Sequence, residues 1–253
     1  MKVAAFDFDG TLHRDGEVSP ADIAAIDAWR EAGHLAISAT GRSRSSLAYG
    51  LSGTDRSFDY NVLSNGCAGT DNAGNLLFGH FLNPSLAEEV VRHFLDHEGV
   101  AVYGTTAGEH DLTFANNTGT TTELTRGFVP APVSEVHTTD IAVVALWVPG
   151  NPQLHQRVVD TLTTHFPQAH FTTNHEFVDV IATGRDKGAG ITDVLTHAGV
   201  SDYELYTFGD SWNDLPMHAI ADHSFSFPYS PTEVKGATDQ VIDHVAPVLL
   251  SAL

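Results

Sequence analysis

Asp7 and Asp9 stand two positions apart directly after the apolar run VAAF, and Gly10-Thr11 follows them. Far along the chain, Asp210 and Asp214 lie in the stretch GDSWND, and Lys187 precedes them in RDKGAG. Carboxylates gathered at one place repel one another, which raises their pKa values or calls for a counter-cation. Hard oxygen ligands with room left for water suit Mg²⁺, held partly by protein and partly by a phosphate substrate. Gly10 lets the chain turn sharply and brings backbone amides toward an anion. The chain has only three lysines, Lys2, Lys187 and Lys235, so the one beside Gly188 at the start of a helix reads as a phosphate ligand rather than a solvated charge. Together these residue types suit cation-assisted chemistry on a phosphate.

For them to meet, several strands must end side by side. Residues 2 to 6 are short and apolar and predict a strand running into Asp7. Ser19, Pro20 and Asp22 predict the N-cap, N1 and N3 positions of a helix that carries Ile23, Ile26 and Trp29 and is closed by Gly33. HLAIS at 34 to 38 predicts a second strand, followed by Thr40-Gly41-Arg42 and a further helix. NVLS at 61 to 64 predicts a third, leading into Asn65-Gly66, read as a turn with a minor site-edge role as its alternative, and a hairpin through GTDNAGNLLF. Later, Ile191, Val194, Leu195 and Ala198 mark a helix face that Gly199 ends, and LYTF predicts the strand before Asp210. Alternating strands and helices of this kind predict a parallel α/β sheet, in which ligands bind beyond the carboxyl ends of the strands. Thr40 joins the acids and the lysine at such an end.

From residue 82 to 184 the pattern changes. Leu86, Val90 and Phe94 mark a helix, IAVVALWV at 141 to 148 a buried strand, Leu154, Val158, Leu162 and Phe166 a second helix, and 168 to 173 and 177 to 181 further strands. This predicts an α+β module, residues 82–184, inserted into a core made of 1–81 and 185–253.

In order, DFDGT at 7 to 11, TGR at 40 to 42, KG at 187 and 188, and GDSWND at 209 to 214 resemble motifs I to IV of the haloacid dehalogenase (HAD) superfamily. The long interval between Thr40 and Lys187 resembles the cap placement of its Cof-type class IIB phosphatases. The resemblance implies an α/β fold with a Rossmann-like parallel-sheet core and an inserted α+β cap of the C2B type, which would close over the site. It implies Asp7 as a nucleophile that forms an aspartyl-phosphate, and Asp9 as the group that protonates the leaving oxygen and then deprotonates the attacking water. Thr40 would donate a hydrogen bond to the phosphoryl group, and Lys187 would neutralise its oxygens and orient Asp7. Gly10, Thr11, Gly41 and Arg42 would serve phosphate or substrate binding, with Asn213 on the phosphate side. Mg²⁺ would be bound by Asp7, the Asp9 backbone carbonyl and Asp210, and by Asp214 directly or through water. Ser211 and Trp212 depart from the commonest form of motif IV. The implied activity is Mg²⁺-dependent hydrolysis of a small phosphorylated metabolite, a sugar phosphate being one example. Phosphomannomutases share this core and cap, which leaves a phosphomutase open, and a non-catalytic binding or regulatory module on the same fold is a further alternative.

Taken singly, several of these residues have plainer explanations. Asp7 and Asp9 would serve as a strand-ending turn that caps the next element, and Asp210 and Asp214 as acids at a helix N-terminus. Ser38 is a second hydroxyl near Thr40, and Arg42 has a surface charge or a capping contact as its alternative. His93 and His97 have the i, i+4 spacing of two metal ligands, but without a third ligand they read as an exposed helix face.

Composition excludes other classes. The 253 residues carry 12 Lys+Arg against 32 Asp+Glu, a formal net charge of -20, which disfavours nucleic acid and anionic membranes as partners. The single cysteine, Cys67, rules out a disulfide within the chain. No apolar run reaches membrane-spanning length and VAAF is too short for a signal-peptide core, so the expectation is a cytoplasmic protein.

Overall fold

The structure is a computed structural model that describes residues 1–14, 16–51 and 58–253. Its contacts divide the chain into two units. The first is built from 1–41, 57–78 and 186–253, the second from 42–56 and 79–185.

The first unit carries an eight-stranded sheet ordered Gln240–Val241, His223–Ser226, Glu204–Phe208, Lys2–Phe6, Leu35–Ala39, Tyr60–Leu63, Ala68–Asp71 and Leu76–Gly79. Lys2–Phe6 lies in the middle and pairs in parallel with Glu204–Phe208 on one side and Leu35–Ala39 on the other. Val3, Ala4, Ala5 and Phe6 are fully buried, as an apolar strand covered on both faces requires. Because later strands lie on both sides of it, Leu35–Ala39 and Tyr60–Leu63 on one and Glu204–Phe208 and His223–Ser226 on the other, the carboxyl end of Lys2–Phe6 is the point where strand order reverses, the place where open α/β sheets hold ligands. The register sets the ends level: Phe6 pairs with Phe208 and with Ser38, and Ala39 pairs with Val62.

The helix Pro20–Glu31 begins as its sequence indicates, with the Ser19 side chain accepting from the Asp22 amide and Pro20 in the first turn. Trp29 is fully buried, and its indole N–H donates to the Leu35 carbonyl at 2.9 Å, fixing the helix on the following strand. Asp22 does more than its N3 position suggests. It is wholly buried, and its Oδ1 accepts from the Ala246 amide at 2.7 Å, at the start of the helix Val245–Ala252.

The second unit has a six-stranded sheet ordered Val129–Pro130, Leu112–Asn116, Ala101–Thr106, Ile141–Trp147, Phe177–Ile181 and His170–Asn174. Every residue of Ile141–Trp147 is buried, and it pairs antiparallel with both neighbours. The helices Pro84–Phe94 and Pro152–His165 lay Val90, Val91, Phe94, Val158 and Leu162 against Val102, Val144, Leu146 and Val178 in one apolar core. This is an α+β arrangement. The segment beginning at Arg42 groups with it rather than with the parallel sheet, although its position directly after the second strand suggests otherwise. The cause is a buried carboxylate: Asp111 accepts from the hydroxyls of Ser43 and Ser45, at the N-terminus of the helix Arg44–Gly50, and from the Thr106 amide at 2.8 Å.

His93 and His97 stack with ring centroids 5.4 Å apart, and His165 lies 5.8 Å from His93. Among the described residues, the group of His, Cys, Asp or Glu side chains close enough to share a metal ion is a different one, Asp7, Asp210 and Asp214. No described helix is long and apolar enough to cross a membrane.

Candidate active site

Sheet pairing continues one residue past Phe6, where the Asp7 amide donates to the Phe208 carbonyl at 2.8 Å. The Asp7 side chain therefore stands at the strand end with only 5% of the residue exposed. Asp210 follows Phe208 by two positions and is equally enclosed. The motif at 7 to 11 folds directly onto it. Thr11 Oγ1 donates to Asp210 Oδ1 at 3.2 Å, and Gly10 has φ +87° with so little room that a Cβ there would sit 2.5 Å from the same carboxylate oxygen. Only glycine meets both demands. The Thr11 hydroxyl thereby orients Asp210.

Lys187 opens the helix Lys187–His197, with Asp186 as N-cap accepting from the Ala189 amide at 2.8 Å. Its side chain is wholly buried, and Nζ donates to Asp7 Oδ1 and to Asp214 Oδ1, each at 2.6 Å. A cation in the first turn of a helix opposes the helix dipole, and the two carboxylates offset that cost. Burial by itself would depress the Lys187 ammonium, but Asp214 and Asp7 reverse the effect and hold it charged well above its ordinary range. Asp214 is bound at both oxygens, since its Oδ2 accepts from the Ser211 amide at 2.9 Å and closes the turn at the start of the next helical segment. It is thus both the capping acid of the plainer reading and a partner of the lysine.

Three buried carboxylates face one buried ammonium, so with all three ionised two negative charges are uncompensated. Burial pushes the Asp7 carboxyl well above the usual range; Lys187 opposes this only in part, and Asp214 and Asp210 add to it. One oxygen from each of Asp7, Asp210 and Asp214 lies within 4.8 Å of the others. A hard divalent cation fits this donor set in charge and in chemistry. The two hydrogen bonds already made by Asp214 suit contact through water better than direct ligation.

The remaining candidates divide. Asp9 is half-buried, its Oδ1 3.8 Å from His13 Nδ1, and its carboxylate lies outside the three-acid group. Thr40 is buried at the end of Leu35–Ala39, with its amide on the Val62 carbonyl at 2.9 Å. Ser38, the competing hydroxyl, donates to Asn61 Oδ1 at 2.8 Å and is used within the sheet. At Gly41 a Cβ would approach Asn65 Oδ1 to 3.3 Å. Arg42 belongs to the second unit, and its guanidinium donates to the Ser46 carbonyl at 3.0 Å, a capping contact of the kind the sequence left open. Asn213 is buried and donates from Nδ2 to Asn65 Oδ1 at 3.0 Å.

Asn65 is the residue whose importance sequence reading understated. It lies in no simple surface turn: Ser64, Asn65 and Gly66 are all buried with φ of 52°, 53° and 88°. Left-handed backbone at two non-glycine residues costs free energy and persists where surroundings enforce it. Here Gly66 abuts the carbonyl of Asp186, where a Cβ would come to 1.9 Å, so this strand end is packed against the residue that caps the Lys187 helix. The available signal was SNG immediately after an apolar strand.

A Streptococcus pyogenes protein whose name pairs a phosphatase with a peptidyl-prolyl cis-trans isomerase is 24% identical over 233 residues, 91% of this chain and 48% of its own length. An uncharacterized hydrolase of Schizosaccharomyces pombe is 27% identical over 175 residues, 63% of this chain and 57% of its own length. The chain spans about half the length of these curated relatives. Among solved structures, one described as a HAD subclass IIB sugar phosphatase superposes with a TM-score of 0.83 at 19% identity, covering 100% of this chain and 97% of that one, a likeness of fold. The model of the haloacid dehalogenase-like hydrolases matches residues 4–247, and the chain belongs to that family.

Proposed function

We propose that the protein is a Mg²⁺-dependent phosphomonoesterase that hydrolyses a small phosphorylated metabolite through an aspartyl-phosphate. The observation that carries this reading is the Asp7 carboxylate, held at a strand end by a buried lysine and facing two further buried acids. Asp7 attacks phosphorus, the ester P–O bond breaks, and Asp9 delivers its proton to the departing alkoxide. Asp9 then removes a proton from water, whose oxygen attacks phosphorus, and the bond to Asp7 breaks to release phosphate. Lys187 keeps Asp7 oriented, favours its ionised form against the effect of burial, and offsets charge on the phosphoryl oxygens, to which Thr40 donates. Mg²⁺ on Asp7, the Asp9 carbonyl and Asp210, with Asp214 through water, would shield the anionic nucleophile from the anionic substrate. We assign catalysis to 1–81 and 185–253 and substrate selection to 82–184, and the subclass IIB sugar phosphatase among the fold neighbours supports sugar phosphates as the first class to test.

The test is a panel of phosphorylated metabolites assayed for free phosphate and for isomer interconversion, with Mg²⁺ and with a chelator. Release of phosphate that depends on the cation supports the reading. Interconversion of isomers without release would replace it with a phosphomutase.

A further inference from the structure

The segment after Thr11 is too short to hold a cap, yet it carries a cation with many partners. His13–Arg14 pairs antiparallel with Glu17–Val18 in a small hairpin, of which Asp15 lies outside the described residues. From it the Arg14 guanidinium donates to Tyr229 Oη at 3.1 Å and to the Asp243 carbonyl at 3.2 Å, and lies 3.3 Å from His244 Nδ1. It stands 3.9 Å from the buried Asp22 carboxylate, and 5.2 and 5.8 Å from the ring centres of Phe227 and Tyr229, which stack on each other. The Tyr229 hydroxyl, fixed by Arg14, donates in turn to the carbonyl oxygen of Gly10.

That last contact links the cluster to the chemistry. Gly10 directly follows Asp9, and its peptide is gripped from two directions, by Tyr229 at the carbonyl and by the Asp210 carboxylate against its Cα. A trans peptide is planar, so fixing this carbonyl also fixes the direction of the Thr11 N–H, on the opposite edge. Tyr229 remains a donor at any working pH. Burial pushes its phenol up to about 12; Arg14 opposes this, and the charges of Asp210 and Asp7 reinforce it. The residue is 53% exposed, and its ring stacks on Phe227, a contact that phenylalanine would keep.

We propose that Tyr229, held by Arg14, is a positioning residue that fixes the Gly10 peptide and thereby aims Asp9 at the leaving-group oxygen. The inference rests on the phosphatase reading and adds a prediction specific to it. A group that aims the general acid matters most where the leaving oxygen must be protonated, and least where it departs readily as an anion.

The experiment compares the full-length protein with Tyr229→Phe, which keeps the ring and removes the hydroxyl, on p-nitrophenyl phosphate and on β-glycerophosphate. Losing one such hydrogen bond should lower kcat/KM, which reports phosphoryl transfer to Asp7 and not the later hydrolysis shared by both esters, about fivefold to tenfold on the alkyl ester and less than about twofold on the aryl ester. The thermal midpoint should stay unchanged. Arg14→Lys, which keeps the charge but loses the planar fork, should show the same ester selectivity. Equal losses on both esters, or no loss on either, would overturn the proposal. A parent protein that hydrolyses no alkyl phosphate would refute the phosphatase reading itself, and the positioning role with it.

Discussion

Lys187 and Asp214 meet at 2.6 Å with neither side chain exposed to solvent. Because Lys187 opens a helix and Asp214 closes the turn after Asp210, this ion pair ties together two elements separated by a further strand, its partners 27 residues apart. The same ammonium reaches Asp7, so the nucleophile candidate depends on it for both place and charge.

Lys187→Met should therefore do two things. Removing one partner of a buried pair leaves uncompensated charge and typically costs about 3–5 kcal/mol. Denaturant unfolding should show a loss of that order, and phosphate release should fall below detection.

Gly10 and Gly16 separate backbone strain from steric conflict. Both have positive φ, 87° and 86°, but a Cβ at Gly10 would strike Asp210, whereas one at Gly16 meets nothing within 4 Å. Alanine at either position should cost about 1–2 kcal/mol for the left-handed backbone. Only Gly10→Ala should also abolish turnover and weaken Mg²⁺ binding, read by calorimetry against Gly16→Ala.

Asp111 supplies a pH test away from the acids of the site. Burial raises its carboxyl pKa in spite of the Ser43 and Ser45 hydroxyls and the Thr106 amide. The folded chain then holds a proton that the unfolded chain has lost, so stability is greatest below the ordinary carboxylate pKa and declines as pH rises through the raised value. Unfolding midpoints measured from acid to neutral pH should fall over that window in the parent. Asp111→Asn, which cannot titrate, should flatten the slope; an identical slope in both would remove Asp111 as its source.

Three buried acids facing one ammonium at Asp7, Asp210 and Asp214 should make folding stability respond to the cation. The unfolding midpoint should climb with the logarithm of Mg²⁺ concentration once the site is saturated. Asp210→Asn should lose most of that dependence, and a parent midpoint indifferent to Mg²⁺ would count against a metal site here.

Much of this was legible in the chain. An apolar strand ending in acid, repeated at Asp7 and Asp210, together with a rare lysine opening a helix, located the strand ends where the site forms, because parallel sheets gather their carboxyl ends by construction. What escaped were properties that depend on contacts remote in sequence. SNG after an apolar strand hints at left-handed backbone, but nothing local shows that the run is buried, with Gly66 pressed against the Asp186 carbonyl. Arg42 sits within a recognisable motif, yet its segment follows the Asp111 carboxylate into the other unit. Arg14 and Tyr229 are unremarkable until folding brings the hairpin onto the Phe227 loop.

The most direct measurement of the central claim is the covalent state of Asp7 during turnover. The protein is mixed with p-nitrophenyl phosphate and Mg²⁺, quenched in acid within the first turnovers, digested and weighed by mass spectrometry. The expected result is a phosphoryl group on the N-terminal peptide at Asp7, absent from Asp7→Asn, which folds but does not turn over. Undiminished turnover by Asp7→Asn, or a phosphoryl group carried on another residue, would contradict the account.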